Sequence, residues 1–150
     1  MQSHTDQGAG PDEVLVVLTN TPDADTAARL SRAVLQARAA ACVNRLAPVE
    51  SEYWWQGKLE QAQEWPLLIK TTRARYAALE AVIRQHHPYD VPELLAWAVS
   101  AGYGPYLEWV RSETAGVPAQ AGTAAPGGDA RDAAPGTAAP QDQDQQESAS

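Results

Sequence analysis

Two adjacent imidazoles, His86 and His87, are the side chains best suited to chemistry in this chain. Imidazole titrates near neutral pH and suits copper and zinc. On a regular helix adjacent side chains diverge by about 100°, so one chain could turn both rings on one ion only where the helix ends. Pro88 supplies such an end. Copies from other chains could complete a metal site; otherwise one ring packs or caps carbonyls at the negative helix end while the other is solvated. Cys42 is the only thiol, and its place between a helix and a strand suits a small buried hydrophobe. Glu60 and Glu64, in KLEQAQE, lie two pleats apart on one strand face, where they offer oxygen ligands, line a cleft between subunits or simply meet solvent. Tyr89, Asp90 and Glu93 flank Val91-Pro92 and suit the ordering of a loop. Gly102 and Gly104 belong to neither GxxxxGK nor GxGxxG, and no acid/base pair or oxyanion site is legible. The expectation is therefore a non-enzyme without an organic cofactor.

Those residues sit in a chain whose apolar content is unevenly spread. Of its 150 residues, the stretch 115–150 is mostly Ala, Pro, Gly, Gln, Asp and Ser, with Val117 as its one large aliphatic residue. It cannot bury enough surface to offset the entropy of ordering it, and residues 1–12 are similarly polar. Disordered ends are expected on both sides of one domain at 13–114. The net charge of −8 divides evenly, with five acids against one base after Thr114 giving −4 and the remainder another −4. Nucleic acid needs a concentrated basic face, which is absent, so that partner is excluded. No apolar run approaches the roughly 20 residues of a membrane span. A lone cysteine and the want of a basic start followed by an apolar stretch point to the cytoplasm.

The elements that must position these residues follow from periodicity. VLVVLT at 14–19 is a β-branched run suited to a buried strand. Thr21 as cap and Pro22 at the first helical position predict a helix whose buried face is Ala27, Leu30, Val34 and Ala37. From Ala41 the period becomes two: Val49, Ser51, Tyr53 and Trp55 share one side, Glu50, Glu52 and Trp54 the other. Gln56-Gly57-Lys58 is the turn, and the chain returns through Leu59 to Thr71, with Pro48 and Pro66 marking bulges or unpaired positions. Thr71 or Thr72 starts a second helix with Tyr76, Leu79, Ile83 and His86 on one face. ELLAWAVS at 93–100 is the last strand, and Gly104-Pro105 opens a short helix with Tyr106, Trp109 and Val110 inward. The order β-α-β-β-α-β plus a helix is the α+β, ferredoxin-like split βαβ.

One dimension points beyond a single chain. A hairpin arm of about thirteen residues spans about 43 Å at roughly 3.3 Å per residue, well past the roughly 13 Å radius of gyration of a hundred-residue domain. Unless it folds back onto its own sheet, the far half overhangs, carrying Tyr53, Trp54, Trp55 and Trp65 and open backbone edges that another copy must cover. A homo-oligomer with those four residues at its interface is expected.

VVLTNTPD, AAACVNRLAPVESEYWWQGKLEQ, LLIKTT, HHPYDVPELL and YLEWV together resemble the CutA family, named for divalent-cation tolerance, over nearly all of residues 14–113. The resemblance implies a ferredoxin-like homotrimer whose long hairpins pack between subunits, in the manner of PII signalling proteins, and a link to copper and other divalent cations. It implies metal positions at His86 and His87. A bacterial member has a cysteine in its first strand where this chain has Thr19, so the implied site lacks its thiolate. Glu60 is a weaker oxygen candidate. Two functions follow: a trimeric metal binder acting in metal tolerance, or a PII-like regulatory module holding a small ligand or partner at clefts between subunits.

Overall fold

In the computed structural model, which describes residues 10–115, the first apolar run forms β1 (Val14–Thr21). It runs two residues further than periodicity alone suggested. Thr21 pairs with Trp65 and its hydroxyl donates to the Trp65 carbonyl at 2.8 Å, so it closes the strand instead of capping a helix. The cap of α1 (Ala24–Gln36) is Asp23, whose carboxylate accepts from the Thr26 amide at 2.6 Å; that bond holds its carboxyl below the usual range, and Pro22 stays outside the helix.

The hairpin departs from a simple two-arm ribbon. Its outgoing arm is split into β2 (Cys42–Arg45) and β3 (Val49–Trp55), while the returning arm is one strand, β4 (Lys58–Thr72). Both short strands pair with β4, but Arg45 faces Leu67 and Val49 faces Glu64. Three residues, 46–48, therefore oppose two, 65 and 66. This is a bulge, and the missing N–H of Pro66 falls within it, because the Pro66 carbonyl on the same side accepts from Leu46. The turn is Gln56-Gly57, both at positive φ (46° and 78°), with Trp55 facing Lys58 across it.

Helix α2 (Arg73–His86) ends ahead of Pro88, and the backbone of Thr72 serves as its N-cap without a side-chain bond. One correction concerns its buried face. His86, expected inside with Leu79 and Ile83, is exposed, while Arg75 is buried. Arg75 donates to the carbonyls of Ala37 and Arg38 at 3.2 and 3.3 Å, satisfying the open end of α1. After β5 (Leu95–Ala98), shorter than the run at 93–100 suggested, α3 (Gly104–Thr114) buries Val110 but leaves Tyr106 and Trp109 exposed, contrary to expectation.

The antiparallel sheet has the order β2-β4-β1-β5, with β3 continuing β2's side of β4, which is the ferredoxin-like α+β arrangement. Leu15, Val17, Leu67 and Ile69 face α1 and α2 and form the core with Leu30, Val34, Leu79 and Ile83. The alternate residues Val16, Leu18, Leu68 and Lys70 line the opposite face. There α3 covers part of the sheet, with Tyr106 beside Cys42. Most of the expected unfolded ends, residues 1–9 and 116–150, lie outside the described residues. Pro11 and Asp12 belong to the domain, since their carbonyls accept from Ala74 and Arg111 at 3.0 and 2.8 Å. No helix among the described residues is long and apolar enough to cross a membrane.

Candidate binding cleft

The segment HPYDVPE, 87–93, has a use different from the one its histidine suggests. Strand β5 pairs with β1 only as far as Leu18, so the Asn20 carbonyl beyond it needs another partner. His87 supplies it: the ring is buried (7% exposed) and its Nε2 lies 2.7 Å from the Asn20 carbonyl. The other nitrogen, Nδ1, accepts from the Tyr89 amide at 3.1 Å. Nδ1 must therefore be bare and Nε2 protonated, which fixes a neutral imidazole with both nitrogens engaged. Burial lowers the His87 pKa below the ordinary imidazole value, opposed by the Asn20 bond and the nearby Glu64 charge.

This clasp places the next residues. The Tyr89 ring lies against His87, centroids 4.8 Å apart, and its hydroxyl donates to Glu64 Oε2 at 3.3 Å. Burial, then the Glu64 charge, raises the phenol's pKa strongly, so it remains a donor. Glu93 accepts from the Asn20 side-chain amide. Between segment 89–95 and β3 lies a cleft of about 480 Å³, lined by Asn20, Ser51, Tyr53, Glu64, Tyr89 and Glu93, with Trp54 and Leu95 at its margins. Its floor is on the sheet face opposite α1 and α2, because Glu64 alternates with Trp65 and Leu67 on β4.

The sequence-predicted site residues are dispersed. Thr19 points into the helix-covered core, fully buried, and its hydroxyl has no hydrogen-bond partner. His86 is exposed, while His87 is turned inward. Glu60 is half-buried on β4, opposite Tyr53, on the face it shares with Glu64. Among the described residues no three His, Cys, Asp or Glu side chains converge as a metal site. Cys42 is half-buried with its sulfur 3.9 Å from the Lys70 amine. Of the four aromatic residues expected at an interface, Trp54 is 73% exposed, whereas Tyr53, Trp55 and Trp65 are half-buried. Asn20 and Ser51 were not foreseen at the site. Asn20 ends an apolar run, the one signal that could have marked it.

The fold and cleft define a class: a ferredoxin-like α+β protein with an overlong hairpin and a pocket at its base. The family model described as CutA1 divalent ion tolerance protein matches residues 15–113, and the chain belongs to the CutA family. Among its relatives, the divalent-cation tolerance protein CutA of Pectobacterium atrosepticum is 43% identical over 100 residues, covering 67% of this chain and 91% of that one. The human protein CutA is 39% identical over 115 residues, 75% of this chain and 64% of its own length. The crystal structure of CutA from Xylella fastidiosa superposes with a TM-score of 0.67 at 40% identity, over 68% of this chain and 98% of that one. The divalent cation tolerance protein of Thermus thermophilus gives 0.66 at 37%, over 67% and 97%.

Proposed function

We propose that this CutA-family chain is a non-enzymatic, homotrimeric binding module that holds a small ligand in the cleft and acts in divalent-cation tolerance through that ligand or a partner it recruits. The observation that carries this reading is Glu64, a carboxylate 9% exposed on the cleft floor with no cationic partner among the described residues. Buried charges without partners are costly and gather where something binds. Assembly with further copies is supported by the overhang, since residues 58–64 of β4 pair only with β3 and Trp54, Leu59, Leu95 and Trp97 are exposed; the number three follows the family resemblance. The architecture resembles PII proteins in this respect. The lone Cys42 suits the cytoplasm, where a thiol needs no partner.

A thermal-shift panel of ammonium, carboxylate and neutral compounds tests the cleft. At least one compound should raise the melting temperature of the wild-type chain and not that of Ser51→Trp, which fills the pocket. If none does, or if Ser51→Trp responds equally, the cleft is not a ligand site. Native mass spectrometry should show three chain masses, and a monomer would remove the trimer.

Direct binding of copper or another divalent cation is a second reading, supported by the exposure of His86 and by the relatives' names. His87, with both nitrogens engaged, would have to leave its clasp to take part. Copper calorimetry decides it: this reading requires stoichiometric binding that His86→Ala abolishes, and unchanged affinity in that variant ends it.

A further inference from the structure

The chemical character of the cleft allows one step more, resting on the reading of it as a ligand site. Glu64 is nine-tenths buried, yet a carboxylate has about four acceptor positions and Glu64 accepts only the 3.3 Å bond from Tyr89. Glu93 adds a second carboxylate to the lining, and no Lys or Arg is among its residues. None of the ion pairs among the described residues involves these two carboxylates. The remaining walls include the aromatic side chains of Tyr53 and Tyr89, of a kind that attracts cations, and Leu94 adds apolar surface.

From this combination we infer that the cleft binds a small organic ammonium compound, its cationic head on Glu64 and its hydrocarbon body along Tyr53 and Leu94. An anion would meet two carboxylates and no compensating cation among the lining residues. A divalent metal ion needs several donors converging at about 2.0–2.6 Å, and no such cluster exists among the described residues. A volume of about 480 Å³ falls within the roughly 300–1,000 Å³ of small-molecule sites. The ammonium N–H groups would occupy the open lone pairs of Glu64, and charge-assisted bonds of this type are about twice as strong as neutral ones.

The test titrates the full chain, in its native assembly, with butylamine and putrescine, and with 1-butanol and butyrate as neutral and anionic counterparts of equal length. Calorimetry reports binding. Saturable amine binding at least about tenfold tighter than that of butanol or butyrate is expected. Glu64→Gln should weaken it about tenfold or more, and Glu93→Gln, a second variant should the first fail to fold, should weaken it too. Glu80→Gln, which removes one charge from α2 away from the cleft, should leave it within about twofold. Amines that do not saturate, that bind no better than butanol, or that respond equally to Glu64→Gln and Glu80→Gln overturn the inference. Should butyrate or butanol bind in a manner lost in Ser51→Trp while the amines stay silent, the ammonium assignment falls and the cleft reading stands. If no compound binds, both fall.

Discussion

Strand β4 passes through two environments within fifteen residues. From Trp65 to Thr72 it lies between β1 and β2, with Leu67, Ile69 and Thr71 fully buried and Thr71 donating to the Ala39 carbonyl at 2.6 Å. From Lys58 to Glu64 it pairs only with β3, and Leu59 is left largely in solvent. Glu64 stands at the junction, 9% exposed, with a hydrogen bond from the Tyr89 hydroxyl as its contact. The root half thus carries the stability of the fold. The outer half carries surface and charge that folding one chain leaves uncompensated, which is where binding has something to gain.

The sharpest way to probe this division is to damage the root. Leu79→Ala removes a fully buried side chain from the helix-covered core and should cost about 2–5 kcal/mol; urea unfolding reads the loss. Trp54→Ala at the outer end should cost far less in the isolated chain and appear mainly in assembly. Equal effects of the two on chain stability would erase the contrast.

Next in size is Arg75. Replacing it with Met leaves the Ala37 and Arg38 carbonyls without their donor and should cost about 1.5–3 kcal/mol in the same assay.

The His87 clasp predicts a pH dependence. Its folded pKa lies below the unfolded value of 6.5, so its contribution is intact above about pH 6.5. As pH falls from there toward the folded pKa, the unfolded chain takes the proton first and stability drops, by at most about 1.4 kcal/mol per pH unit. Calorimetric melts at pH 7.5 and 5.5 should show a smaller acid-induced decline in His87→Gln than in the wild type, and parallel declines would show that the imidazole is not held neutral.

The smallest effect should be a gain. Thr19→Val removes the unpartnered buried hydroxyl while keeping the shape, and should stabilise by about 1 kcal/mol. A loss in chemical denaturation would mean that the hydroxyl has a use in the native state.

What the sequence made legible was local. Alternation in ESEYWW, the Gly57 turn and the stop at Pro88 marked the hairpin and the end of α2, because each depends on a few neighbouring residues. Distant partners were not legible. Thr21 and Asp23 are both good caps on propensity, and the choice between them was made by a carbonyl 44 residues away, at Trp65. The adjacent imidazoles suggested one ion, but they belong to different surroundings because the Asn20 carbonyl, 67 residues distant, takes one of them. Nothing local in the sequence marks Arg75 as buried, since its partners are carbonyls at the end of α1. Tyr106 and Trp109 had the spacing of a buried face, yet within one chain the sheet offers α3 only enough cover for Val110 and Thr114. Glu64 was legible as a strand-face carboxylate, but not as a buried one, since its burial depends on Tyr89 folding over it.

Glu64 is also where the account is most exposed. Removing its charge by Glu64→Gln, with the melting temperature of the ligand-free full chain read by calorimetry at pH 7.5, tests the claim that this carboxylate is kept for a ligand at the expense of the fold. A melting temperature equal to or above that of the wild type is expected, because a largely desolvated charge is gone. A clear fall would mean that the carboxylate is satisfied within the protein itself and would contradict the cleft as its reason for being there.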